Sequence, residues 1–132
     1  MEICPKCERE LKSANQWHNC VKVDIGDLFK NKSKELEYLF DQLLLEVTEW
    51  DDVAVSATQN CIVFVHNQTF LIIRPMRSQL DIKFYSAVKL NDPLVLKSIA
   101  YSGRYENHIR VTADGHITPA VFMYIKQSYK LL

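Results

Sequence analysis

Hydrophobic positions change period along this chain. From Ser33, the apolar residues Leu36, Leu39, Phe40, Leu43, Leu44 and Val47 recur at steps of three and four, the spacing that lines one face of an α-helix. Ser33 offers an N-cap oxygen, and Glu35 and Glu37 stand in the first turn, where the helix dipole favours negative charge. Lys34, Glu37, Asp41 and Glu46 form a solvated face. From Val53 the period shortens to two. Residues 53–58, 61–66, 69–74, 80–85 and 107–113 read as strands, broken by Gln59-Asn60, the hairpin-type pair Asn67-Gln68, Pro75 and Asn91-Asp92-Pro93. Residues 94–100 are open between a helical turn and a strand. Ser102-Gly103 is a turn, and Asp114-Gly115 ends the last strand. Thr118-Pro119 then opens a C-terminal helix, cap before first-position proline, with Val121, Phe122, Ile125 and Tyr129 as its buried stripe.

The expected fold is therefore α+β: an antiparallel sheet of about five strands, with an N-terminal and a C-terminal helix on one face. A connector, 21–31, carries Asp24 as a cap for a short helical turn that buries Ile25, Leu28 and Phe29. The sheet face without helices is expected to be wet. Alternation gives it Asp81, Lys83 and Tyr85 from one strand and His108, Arg110 and Thr112 from another.

Composition adds limits. The 132 residues are 48% hydrophobic and 24% charged, ordinary for one globular core plus a small appendage. No apolar run approaches the roughly 20 residues of a membrane span, so no membrane is expected. The start, Met1-Glu2-Ile3-Cys4, lacks a basic region followed by an apolar run, so no secretory signal is read there and a reducing, cytoplasmic setting is expected. Net charge is zero but uneven. Residues 1–66 hold seven Lys and Arg against twelve Asp and Glu, and residues 67–132 hold nine against four. The front is acidic and the back basic.

The sharpest chemistry lies within residues 4–20. Cys4-Pro5-Lys6-Cys7 sets two thiols on a turn stiffened by proline, and His18-Asn19-Cys20 places an imidazole and a third thiol two residues apart, on one side of an extended segment. Three sulfurs and one nitrogen suit tetrahedral Zn²⁺ with every position filled by protein, a structural site with no place for a reactive water. A zinc deaminase requires a His-x-Glu that is lacking here, and iron in such a knuckle usually takes four thiolates. The expected division is a zinc knuckle over 1–23 and an α-β(5)-α domain over 24–132. The fourth cysteine, Cys61, is expected to be a buried small hydrophobe.

Those residues carry a resemblance. Cys4-Pro5-Lys6-Cys7, then Asn15-Gln16-Trp17-His18-Asn19-Cys20, then Asp27-Leu28-Phe29-Lys30-Asn31-Lys32, resemble an uncharacterised bacterial family that joins a short zinc knuckle to a domain of unknown function. The likeness continues through 70–80 with Arg74, Pro75 and Arg77, through Asp92-Pro93, and through 101–111 with His108. Trp17, where a small polar residue is expected, and a degenerate C-terminal helix depart from the pattern without touching a metal ligand. The resemblance implies the zinc and the boundary, and implies no activity. The helix, five strands, helix order is similar to frataxin-like and double-wing domains, some of which bind DNA or metals, an analogy of fold alone.

Candidate recognition residues lie in the basic half. Arg74, Arg77, Lys83, Tyr85, Tyr101, His108 and Arg110 converge, on this reading, as a face that binds anions or nucleic acid, with tyrosines able to stack on bases. No Gly-x-Ser-x-Gly or phosphate-cradling loop occurs, and there are only three glycines, so catalysis is not expected. The leading expectation is a non-catalytic module for DNA, RNA or an acidic protein. A small-molecule or anion-binding protein, or an enzyme, using Arg77, Tyr101 and His108 is the alternative. A third reading is an adaptor or homodimer built on the acidic front, so the protein is expected as a monomer or a homodimer.

Overall fold

The computed structural model describes residues 25–132, together with the backbone of two short antiparallel strands, β1 (Glu2–Ile3) and β2 (Glu10–Leu11). The four expected metal ligands Cys4, Cys7, His18 and Cys20, and the expected cap Asp24, lie outside the described residues.

A short helix, α1 (Ile25–Leu28), buries Leu28, and Phe29 follows it into the core. The chain then turns through Asn31, whose positive φ of 66° suits an asparagine. Helix α2 (Lys34–Thr48) begins where its sequence says it should: the Ser33 hydroxyl accepts the Leu36 N–H at 3.3 Å. Leu36, Leu39, Phe40, Leu43 and Val47 are buried, while Lys34, Glu37, Asp41 and Glu46 face solvent. The last helix, α3 (Pro119–Leu131), also starts at its expected proline, although the Thr118 side chain makes no capping bond.

Between the helices run six strands: β3 (Ala54–Ala57), β4 (Ile62–Val65), β5 (Thr69–Pro75), β6 (Gln79–Ser86), β7 (Lys97–Tyr101) and β8 (Arg104–Thr112). All neighbours are antiparallel, in the order β3-β4-β5-β6-β8-β7. The sequence pattern predicts about five strands. The sixth is β7, from the stretch left open between turn and strand. It is short and mostly exposed, so it lacks the alternation that marks a half-buried strand. Ser102 and Gly103, with φ of 49° and 83°, form the tight turn that folds β8 back inside β7. β8 thereby takes the place beside β6, and β7 is left at the edge.

One face of the sheet packs under both long helices. Phe64, Leu71, Ile73, Ile82, Phe84 and Ile109 are buried there in one cluster with the apolar stripe of α2 and with Val121, Ile125 and Tyr129 of α3. Phe122 is only half-buried, and Ser128 takes the interior place instead. Ser128 faces a register shift between β4 and β5: Phe64 pairs with Leu71 and Val65 with Thr69, leaving Phe70 unpaired as a bulge. The Ser128 hydroxyl donates to the Phe70 carbonyl at 2.7 Å and accepts the Tyr85 N–H at 2.9 Å. A buried hydroxyl here satisfies two backbone groups that the bulge and the strand end leave over.

Candidate nucleic-acid interface

Strand register decides which polar residues meet on the face without helices. Arg74 of β5 lies opposite Asp81 of β6, and Asp81 opposite Arg110 of β8. One step along, Lys83 lies opposite His108, and His108 opposite Lys97 of β7. Two cross-strand rows result, Arg74–Asp81–Arg110 and Lys83–His108–Lys97, with Tyr85–Glu106–Ile99 as the next. Side chains opposite one another on a common face are near enough to interact.

Within these rows the carboxylates are clamped. Asp81 sits 2.9 Å from His108 Nδ1 and accepts the Arg110 Nε–H at 3.3 Å. Glu106 lies 3.2 Å from Lys83 Nζ and 3.7 Å from His108 Nε2. His108 therefore stands between two carboxylates. Asp81, expected to be wet, is only 8% exposed, because His108 and Arg110 close over it. Charged pairs of this kind orient one another and rigidify a face. Arg74, Arg77 and Lys97 make no ion pair among the described residues. On this face and its margin Arg74, Lys83, Lys97, Arg104 and Arg110 outnumber Asp81 and Glu106, so the surface stays positive.

The aromatic part lies at the far end. Tyr85, Tyr101 and Arg104, with Gln68, Thr69 and Ser102, line a recess of about 200 Å³. The Arg104 guanidinium sits 5.9 Å from the centre of the Tyr85 ring and donates to Gln68 Oε1 at 3.3 Å. Burial pushes the Tyr85 phenol pKa up, with Lys83 opposing the shift. A larger groove, about 430 Å³, runs between the start of α2 and the loop after β8, lined by Tyr38, Asp114 and His116 among others.

Of the expected recognition residues, Arg74, Lys83, His108 and Arg110 come together in the two rows, and Tyr85 and Tyr101 in the recess. Arg77 stands in the turn between β5 and β6, at the opposite end of β6 from Tyr85. The trio Arg77, Tyr101 and His108 is thus spread along the sheet: turn end, far end and middle. Cys61, expected in the core, is a half-buried free thiol. The run 61–65 alternates instead of being wholly interior, with Ile62 and Phe64 inward. Burial pushes the Cys61 thiol pKa up, and nearby Arg74 opposes the shift. Lys97 and Arg104, part of the basic stretch between residues 74 and 110, complete the face together with Glu106. Counting back from the Ser102-Gly103 turn sets Lys97 opposite His108, a signal available in the sequence.

Catalytic or metal-binding geometry is limited to what these residues offer. The ring nitrogens of His108 meet only carboxylates among the described residues. His66 lies against the Asp52 carbonyl, 3.2 Å away, and stacks on Tyr129. Among the described residues no group of three His, Cys, Asp or Glu side chains is arranged to hold a metal ion, and no helix is long and apolar enough to cross a membrane.

Compared with known families, residues 25–132 match the model for a domain of unknown function, DUF5655. No curated protein and no solved structure matches the chain.

Proposed function

The chain belongs to the DUF5655 family, and from that premise we propose that it is a non-catalytic binding module whose basic sheet face takes the phosphate backbone of DNA or RNA. The observation that supports this reading is the pair of cross-strand rows, Arg74–Asp81–Arg110 and Lys83–His108–Lys97, on a face left free by both long helices. The two carboxylates fix the central cations in place, while Arg74 and Lys97 keep their charges available at the margins. Tyr101, 60% exposed at the end of the same face, adds a ring on which a base can stack. In this reading the N-terminal Cys4, Cys7, His18 and Cys20 hold one structural Zn²⁺ beside the domain, as their donor set favours. Thiolate ligation and the free Cys61 both go with a reducing cytoplasmic setting.

The test is binding of labelled oligonucleotides measured by fluorescence anisotropy over a range of salt. The logarithm of the affinity is expected to fall linearly with log salt, and Arg74→Gln and Lys97→Gln are each expected to lower that slope by about one. A flat salt response, or no binding at low salt, overturns the reading. Equal binding to polyglutamate would assign the face to an acidic protein.

The recess beside Tyr101 favours a second reading, a small anionic or aromatic ligand held by Tyr85, Tyr101 and Arg104. Of the alternative built on Arg77, Tyr101 and His108, this recess takes up Tyr101. Chemical shifts of the Tyr101 neighbourhood on titration with a nucleoside monophosphate test it.

A further inference from the structure

Five of the nine large apolar side chains exposed among the described residues lie close together in the chain. Val88, Leu94, Leu96, Ile99 and Tyr101, each between 42% and 65% exposed, belong to β7 or the crossover that leads to it. Among the described residues β7 pairs only with β8, so its outer edge presents backbone donors and acceptors with no described strand beside them. Edge strands are usually protected by several charges, a proline or a bulge turned outward. Within β7 the sole charge is Lys97. The other edge of the sheet is a weaker candidate, since β3 has four residues and two of them are buried.

The ladder with β8 determines which groups face out. Tyr101 and Arg104 close the tight turn as a hydrogen-bonded pair, so by antiparallel alternation Ile99 also turns its backbone towards β8. Ser98 and Ala100 then turn theirs outward. A strand with two outward residues flanking a central one can pair with itself. About a two-fold axis at Ile99, Ser98 of one copy meets Ala100 of the next in a hydrogen-bonded pair, Ile99 meets Ile99 at the close, non-hydrogen-bonded spacing, and Lys97 falls opposite Tyr101. No like charges meet, and Lys97 gains an aromatic partner.

We propose that β7 is a dimerisation strand: two copies of this chain join edge to edge, antiparallel about Ile99, into one continuous twelve-stranded sheet. A second copy suits the edge because the pairing is self-complementary along the whole strand and closes on itself, leaving neither β7 edge exposed. Ile99 and Tyr101 are covered on one side of the joined sheet. The row Lys83–His108–Lys97 runs on into Tyr101 and Arg104 of the other copy, which lengthens the basic face. The dimer itself does not depend on what that face binds.

Sedimentation equilibrium of the full-length protein is expected to give twice the monomer mass. Ile99→Lys, which sets two ammonium groups opposite each other on the axis, is expected to give the monomer mass with an unchanged far-ultraviolet circular dichroism spectrum. Ile99→Cys in a Cys61→Ser background is expected to cross-link under mild oxidation, with peptide mapping joining position 99 to position 99. The same change at Leu45, equally apolar and exposed but on α2, is expected not to cross-link. A wild-type monomer at high concentration overturns the proposal and leaves the edge to another protein's strand. So does a dimer that survives Ile99→Lys, or one in which position 99 does not cross-link to itself.

Discussion

Asp92 and Tyr124 show how one residue pair can secure a long connection. The Asp92 carboxylate accepts the Tyr124 hydroxyl at 2.5 Å and the Leu94 N–H at 2.9 Å, tying the crossover between β6 and β7 to α3. The Tyr124 hydrogen bond, followed by that from Leu94, holds the Asp92 pKa below its usual value. A carboxylate depressed in the folded state stabilises it above the unfolded value, near about 4, and that contribution is lost as pH falls through the folded value. Tyr124→Phe removes the larger cause. The variant is expected to be less stable than the parent at neutral pH and to converge with it in strong acid, which urea midpoints measured across pH will read. Asp92-Pro93 is legible in the sequence as a chain break, but its hydroxyl partner, 32 residues away, is not.

At the scale of elements, helices were the most legible. Each of the two long ones, α2 and α3, has a cap or a proline at its start and a stripe of period near 3.6, and both cues are local. Strands buried on one side were legible for the same reason, as in Leu80, Ile82 and Phe84 inside with Lys83 and Tyr85 outside. β7 was not, because an edge strand exposed on both sides has no inside to alternate with. Its position rests on the turn at Ser102 and Gly103. A Cβ at Gly103 would meet nothing within 4 Å, so only the backbone conformation, φ 83°, resists substitution. Gly103→Ala is therefore expected to cost roughly 1–2 kcal/mol, the left-handed penalty of an L-residue. Amide exchange should report the loss most strongly in β7 and the start of β8.

For the whole molecule, the acidic front and basic back of the sequence become the acidic helix α2 and a cationic sheet face on opposite sides of one core. Salt-dependent oligonucleotide binding, reduced by Arg74→Gln and Lys97→Gln, is the prediction that belongs to this scale. The proposed zinc supplies another. Elemental analysis is expected to find one zinc per chain, and a chelator is expected to remove it while the cooperative melting of residues 25–132 persists, because those residues supply a large apolar cluster of their own. Loss of that transition on chelation would instead make the ion part of the main fold.

By itself the sequence determined what depends on near neighbours: the Ser33 cap, both hydrophobic periods, the turn residues and the α+β class. These follow from backbone sterics and burial acting over a few residues. Tertiary structure alone decided the order of strands, and with it which charges share a row. Placing β8 between β6 and β7 puts His108 between Lys83 and Lys97, seals Asp81 beneath His108 and Arg110, and leaves Tyr101 at the opposite end of the sheet from Arg77 in the β5–β6 turn. Such pairings join residues far apart in the chain, and the global packing that selects them leaves no periodic trace in any one segment.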